Sequence, residues 1–447
     1  MSTVRLQTDI ERRLDDLVAP PPRRSGTVVR AVGLRMEARG IHAPLGAICE
    51  IRGQSGQRLE AEVVGFDGET LLLMPYAEAQ GIAPGAQVVL LTARAQAWVG
   101  DGLLGRVIDG RGAPLDGKAA AQGLEAISLQ GQLLNPMERA PIRETLDVGV
   151  RSINAMLTVG RGQRLGLIAG SGVGKSVLLG MMTRFTEADV VVIGLIGERG
   201  REVQHFIQES LGEAGLARAV IVAAPANVSP VLRLKATMLT HAVAEYFRDQ
   251  GRHVLMLLDS LTRVAHAQRE VGLAIGEPPT AKGYPPSVFA LLPSLIERGG
   301  VGREGRGSIS AIYTVLAEGD DSTDPIVDIA RASLDGQVML SRRLADAAIY
   351  PAIDLTGSIS RVMHQIVPTG ALAQANRFRQ LWSLYQQNQD LISVGAYEVG
   401  TNRDIDLAIR LRPKMEQLLR QGMHERASLG QSVQAVEQLM SGAREGA

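Results

Sequence analysis

The sequence predicts an α/β protein in three parts: a small N-terminal β-barrel, a central domain with a mostly parallel sheet, and a C-terminal helical domain. Three observations predict it. Short strand patterns separated by glycine turns fill residues 26–95. From about Thr145, strand and helix patterns alternate, as a parallel sheet requires. Beyond about Val362 the strand patterns fade and helical ones remain.

Residues 1–25 precede the barrel. Leu6, Ile10, Leu14, Leu17 and Val18 recur at helical spacing, with Arg5, Arg12, Arg13, Asp15 and Asp16 between them. An amphipathic helix of this kind docks on its own domain, a partner or a membrane surface, and the sequence leaves the three open. Pro20, Pro21 and Pro22 then end any helix and mark a linker.

In the barrel region, Thr27–Val32, Leu59–Phe66, Thr70–Met74 and Gln87–Thr92 read as strands. Asp67-Gly68 between the middle two is a hairpin signal. Several short strands with glycine turns and no long helix suit a small barrel. Gly102 to Pro141 is glycine-rich with few long periodic stretches.

The central domain, taken as 96–361, reads as strands at Arg164–Ile168, Val190–Ile196, Ala219–Ala223, Val254–Leu258 and Ser308–Leu316. Helices are expected at Val177–Phe185, Glu202–Leu211 and Pro230–Gln250. The unbroken apolar run Val254–Leu258 marks a central parallel strand buried on both faces. In the last part, 362–447, helices are expected at Leu372–Asp390, Asp404–Arg420 and Leu429–Met440.

The chemistry gathers on one stretch, Ala169-Gly170-Ser171-Gly172-Val173-Gly174-Lys175-Ser176, with Val177 opening the helix behind it. Strand, glycine-rich turn and helix form the context of a phosphate-binding P-loop. The glycines let backbone N–H groups turn inward, and the helix N-terminus favours an anion. Lys175 is placed to meet the β- and γ-phosphates of ATP, and the Ser176 hydroxyl to hold Mg²⁺. Ala169 replaces the first glycine of the strict pattern, a mild departure at the end of a strand. Asp259 ends the apolar strand, where a carboxylate can approach the Mg²⁺ shell. Hydrolysis also needs an aimed water. Glu198, just past the strand Val190–Ile196, is the candidate to orient it; its local spacing by itself better suits a carboxylate at a helix N-terminus.

Composition excludes several classes. Lys plus Arg and Asp plus Glu are both 47, so net charge is zero, which argues against a dedicated nucleic-acid binder. Aromatics at 3% leave little material for stacking single-stranded bases. The lone Cys49 excludes an intrachain disulfide framework and suits a reducing cytoplasm. No apolar run is long enough to span a bilayer, and the N-terminus carries early charges without an apolar signal core.

Gly197-Glu198-Arg199-Gly200-Arg201-Glu202 resembles the catalytic-glutamate motif of the rotary ATP synthase catalytic (β) subunit. Asp259-Ser260-Leu261-Thr262-Arg263 resembles that family's strand-end aspartate and following arginine. Tyr350-Pro351-Ala352-Ile353-Asp354 resembles its adenine-contacting segment, and Ser358-Ile359-Ser360-Arg361 the segment bearing an arginine finger that enters the neighbouring subunit's site. Gly283-Tyr284-Pro285-Pro286-Ser287 and Asp320-Asp321-Ser322-Thr323-Asp324-Pro325-Ile326 extend the match. Glu297-Arg298-Gly299-Gly300 and Ala330-Arg331-Ala332-Ser333-Leu334-Asp335-Gly336 resemble the ATPases of bacterial type III protein export. Val64-Gly65-Phe66 with Leu72-Leu73-Met74-Pro75 looks closer to the flagellar branch than to the virulence one.

The resemblance implies a RecA-like core and a homohexameric ring hydrolysing ATP with Mg²⁺. It implies catalytic roles for Lys175, Glu198, Arg199, Asp259, Arg263 and Arg361, and puts Tyr350 on the base. It further implies a regulator at the N-terminal helix, a coiled-coil stalk in the ring, and an export gate, cargo and chaperones as partners. The implied location is the cytoplasmic face of the inner membrane, with peripheral membrane association and no nucleic acid. The competing readings are a virulence secretion ATPase, a non-catalytic rotary subunit, which would lack a glutamate at 198, and an RNA ring helicase.

Overall fold

The structure is a computed structural model that describes residues 25–54, 56–131, 134–317 and 324–445. The predicted N-terminal helix, its proline linker through Arg24 and the stretch Asp320-Asp321-Ser322-Thr323 lie outside the described residues. Those up to Ala95 form one compact unit, and those from Gln96 onward form a second.

The first unit is a closed barrel of β1 (Ser25–Val32), β2 (Arg35–Arg39), β3 (Ile48–Arg52), β4 (Arg58–Asp67), β5 (Thr70–Pro75) and β6 (Gln87–Thr92), in the order β1-β2-β5-β4-β3-β6. Period-two patterning decides what faces inward. Leu59, Ala61 and Val63 of β4 join Cys49 and Ile51 of β3 and Met36 and Ala38 of β2 in its core. The Asp67-Gly68 turn closes a hairpin in which Asp67 pairs Thr70. Sequence reading omits β2 and β3. Both are five residues long and carry charges at alternate positions, such as Arg35, Glu37 and Arg39. Arg35 and Glu37 pair at 2.9 Å.

The second unit opens with β7 (Gln96–Val99), β8 (Arg106–Ile108) and β9 (Glu125–Ser128), short strands within the glycine-rich passage. A two-residue pair, β10 (Thr145–Leu146) and β11 (Val159–Gly160), precedes the main sheet. That sheet joins β8 to β12 (Arg164–Ala169), β13 (Val190–Ile196), β14 (Ala219–Ala224), β15 (His253–Asp259), β16 (Gly300–Val301), β17 (Ser308–Leu316), β18 (Gly336–Leu340) and β19 (Ile353–Ser360). Its order is β19-β18-β12-β17-β15-β13-β14-β8, parallel throughout except at the β19 edge and where β16 pairs β17. β15 lies between β17 and β13, the central position its apolar run predicts.

The helix Pro230–Asp249 starts at a Ser229 cap with proline in its first turn, and it buries Ala236, Leu239, Val243 and Phe247. The helix expected at Glu202–Leu211 differs. It begins at Gly200, widens into a π-helical turn over Phe206–Leu211 and breaks at Gly212, whose φ of 65° only glycine adopts readily. The C-terminal region is helical over Thr369–Ser393, Arg403–Leu419 and Leu429–Glu445. Phe378, Trp382, Leu411 and Met415 bury its apolar faces, and the Arg412 guanidinium lies 3.7 Å from the Trp382 ring centroid. Among the described residues no helix is long and apolar enough to cross a membrane.

Candidate active site

In a parallel sheet every strand delivers its C-terminal residue to the same edge. Register does this here: Ala169 of β12 is level with Leu316 of β17, Leu258 of β15 with Tyr313, and Leu195 of β13 with Asp259. The P-loop, Asp259 and Glu198 therefore leave the sheet side by side.

Ala169 is buried as the last residue of β12, so the missing first glycine leaves the turn intact. Gly170, Ser171, Gly172 and Val173 make the turn, with Val173 buried and Gly172 at φ 76°. Gly174, at φ 93°, caps the helix Lys175–Phe185 without any side-chain bond. The first N–H groups of that helix are thus open to an anion. Ser176 and Val177 follow on its exposed first turn.

The Lys175 ammonium is shared between two carboxylates. It binds Asp259 Oδ1 directly and lies 3.5 Å from Glu198 Oε1. Asp259 is buried, and Thr314 of β17 donates its hydroxyl to the same Oδ1 at 2.6 Å. Sequence reading misses Thr314; its signal is a hydroxyl in the otherwise apolar end of β17. Gly197, at φ 72°, turns the chain so tightly that a Cβ there would sit 2.8 Å from Arg263 Cβ. The Arg263 stem therefore lies beneath the Glu198 turn. Its Nε is buried and has no hydrogen-bond partner among the described residues.

Tyr350 sits beside the P-loop: a Cβ on Gly174 would lie 3.5 Å from its ring. Its ring is about half exposed and open to a ligand. Arg342, which no pattern in the sequence marks, donates to the Ser171 carbonyl at 2.9 Å and steadies the turn's apex. Arg199 stands apart: its exposed side chain pairs with Glu202 at 3.7 Å. Arg361 is not brought to this site at all. It follows β19, and its own N–H donates to the Asp335 carbonyl, level with Arg164 at the start of β12. Five steps of about 3.3 Å separate the ends of β12, so Arg361 and the P-loop lie roughly 16 Å apart along the strand.

These residues fit a magnesium nucleotide. The donor set is one hydroxyl, Ser176, and one carboxylate, Asp259. No cluster of three or more His, Cys, Asp or Glu that could cage a metal exists among the described residues. Mg²⁺ is usually held by few protein ligands and completed by substrate phosphates and water. The uncapped helix N-terminus and the Arg263 Nε supply donors that no acceptor among the described residues uses.

Burial, with the Asp259 charge and Glu202 adding to it, raises the Glu198 carboxyl to about 7, against the lowering pull of Lys175. Were Glu198 the general base, its protonated form, which prevails below that pH, could not take a proton from water. The acid limb of kcat/KM should therefore fall about tenfold per pH unit below roughly 7. Substrate phosphates titrate nearby, so the profile is measured in wild type and in Glu198→Gln. The Glu198 limb should vanish from the variant's residual rate, and an identical limb in both would refute it.

The nucleotide-binding domain of the ATP synthase alpha/beta family matches residues 149–360, and that family's beta-barrel domain matches 28–91. The T3SS EscN ATPase C-terminal domain matches 367–438. The flagellum-specific ATP synthase of Pseudomonas aeruginosa is 55% identical over 98% of both chains. That of Salmonella typhimurium is 56% identical over 94% of both. The type 3 secretion system ATPase of Xanthomonas euvesicatoria is 48% identical over 90% of this chain and 91% of its own. The assembled ATPase EscN of enteropathogenic E. coli superposes with a TM-score of 0.88 at 39% identity, covering 93% of this chain and all of that one. The virulence reading is thus no better supported than the flagellar one. With a P-loop ATPase core between a β-barrel and an export-type helical domain, this chain belongs to the flagellum-specific ATP synthase family, the ATPases of flagellar type III export.

Proposed function

We propose that the chain hydrolyses Mg-ATP in a homohexameric ring, each site being completed by Arg361 of the neighbouring protomer. The observation that carries the reading is the meeting of Lys175, Asp259 and Glu198 at the mouth of the P-loop. Glu198 there also disfavours a non-catalytic subunit.

Lys175 is the moving part. Its charge is shared between both carboxylates. The β- and γ-phosphates draw the ammonium toward themselves, which frees Asp259 and Glu198 for their own tasks. Asp259, held by Thr314, joins Ser176 as protein ligand to the substrate's magnesium, which supplies neutralisation of phosphate charge. Glu198 orients water and accepts its proton as the water oxygen bonds to the γ-phosphorus and the bond to ADP breaks. Arg263 steadies the Glu198 turn and offers its unused Nε. Arg199, exposed and paired with Glu202, is assigned to the approach of the neighbouring protomer. Tyr350 packs on the base. Arg361, supplied across the interface, meets the charge that spreads onto the γ-phosphoryl oxygens.

The solved EscN relatives are an assembled ATPase and a complex with its central stalk EscO, which supports self-assembly and a stalk partner here. The same reading gives the chain a regulator at the N-terminal helix, an export gate, cargo and chaperones, at the cytoplasmic face of the inner membrane.

The test of the binding half is Lys175→Ala with a non-hydrolysable Mg-ATP analogue. A charge-assisted contact of about 1.5–3 kcal/mol is lost, so affinity should fall roughly ten- to a hundredfold. Unchanged affinity would remove Lys175 from the phosphate site.

A further inference from the structure

The segment that ends in Arg361 is pinned at the start of β12, at the opposite end of that strand from the P-loop. Asp335 is the centre of the pinning. Its carboxylate grips Arg164 at three points: the backbone N–H at 3.0 Å, Nε at 3.0 Å and Nη2 at 3.1 Å. Its carbonyl accepts from Arg361 N at 2.9 Å and from Gln163 Nε2 at 3.2 Å. Gln163 is fully buried and also donates to Ser360 Oγ at 3.1 Å, while Ser360 donates to the Thr158 carbonyl at 2.9 Å. Among the described residues the finger side chain itself has one tether, from Nη2 to the Arg331 carbonyl at 3.1 Å.

We infer that Asp335, clamped by Arg164, is the positioning residue that sets where Arg361 enters the neighbouring protomer's site. This rests on the reading of Arg361 as a finger given across the interface. An exposed arginine loses rotamer freedom when it must stand in one place, and a fixed backbone limits that loss. Ser360 and Gln163 are held by neutral hydrogen bonds, so the Asp335–Arg164 fork is the charged contact beneath Arg361. Arg164 is also the first residue of the strand that delivers the P-loop, so the finger seat and the phosphate site share one rigid element.

The experiment is a double-mutant cycle in the full chain, with Asp335→Ala, Arg361→Ala and the double variant. Turnover, affinity for a non-hydrolysable Mg-ATP analogue and ring mass are measured for each. Asp335→Ala should lower kcat about a hundredfold, the scale of an ångström-sized misplacement, with analogue affinity and ring mass unchanged. The double variant should be no slower than Arg361→Ala, because a finger already absent has no seat to lose. Three results would overturn the inference: near-normal kcat in Asp335→Ala, a matching loss of analogue affinity, or a double variant slower by the full additional factor. If Asp335→Ala fails to assemble, Asp335→Asn, which keeps an acceptor for the Arg164 N–H, enters the same cycle; loss of rings in both variants also refutes the inference. Near-normal turnover in Arg361→Ala is a different failure, that of the finger itself, and is read from that variant alone.

Discussion

Glu198→Gln is expected to bind Mg-ATP with nearly normal affinity and to hydrolyse it about 10²–10⁴-fold more slowly, the range of a lost general base. Glutamine keeps the size of the side chain and an oxygen for the Lys175 ammonium, 3.5 Å away in the parent. It removes the charge that takes a proton from water. Steady-state hydrolysis and analogue binding measured on one preparation separate the two effects. Parallel loss of both would make Glu198 part of the phosphate cradle, and near-normal turnover would remove it from the chemistry.

Arg361→Ala is expected to bind Mg-ATP and to lose about 10³–10⁵ in rate at every protein concentration, equivalent to roughly 4–7 kcal/mol of barrier. In wild type, the rate per protomer should climb steeply as protomers assemble. Mixing is the sharper measurement. Lys175→Ala protomers bind nucleotide poorly yet still present Arg361 to a neighbour, while Arg361→Ala protomers keep the P-loop. Each is inactive alone, and co-assembly sets some intact P-loops beside intact fingers, so partial activity should return. Full activity of Arg361→Ala alone, or a rate flat across measured assembly, would end the proposal.

Much of this site was legible in the chain because its chemistry is local. The P-loop is one uninterrupted stretch, and its flanks announce a strand and a helix. Asp259 was legible as the polar end of an apolar run. Glu198 was not legible from its neighbours: a carboxylate beginning a helix is common, and only the joint presence of distant motifs singled it out. Its closeness to Lys175 comes from parallel register between strands far apart in sequence. Thr314 and Arg342 meet the site for the same non-local reason. In the fold, apolar strands such as β15 and β17 declared themselves, whereas β2, β3 and β18 are only five residues long and β19 carries Asp354, Thr356, Ser358 and Ser360 at alternate positions. The break near Gly212 escaped because helical periodicity carries no record of where a turn widens.

The placement of Arg361 and the P-loop at opposite ends of β12 also gives the molecule a direction. A contact that joins one protomer's finger edge to the next protomer's phosphate edge uses two different surfaces, so it is heterologous and no two-fold pair can satisfy it. Two protomers then complete one site and leave one P-loop and one finger idle. A row of any length always ends with one of each unused, and only closure brings the last pair into register. With Arg361 as a finger given across the interface, the protomer that closes the ring adds two working sites, whereas each one that extends an open row adds a single site.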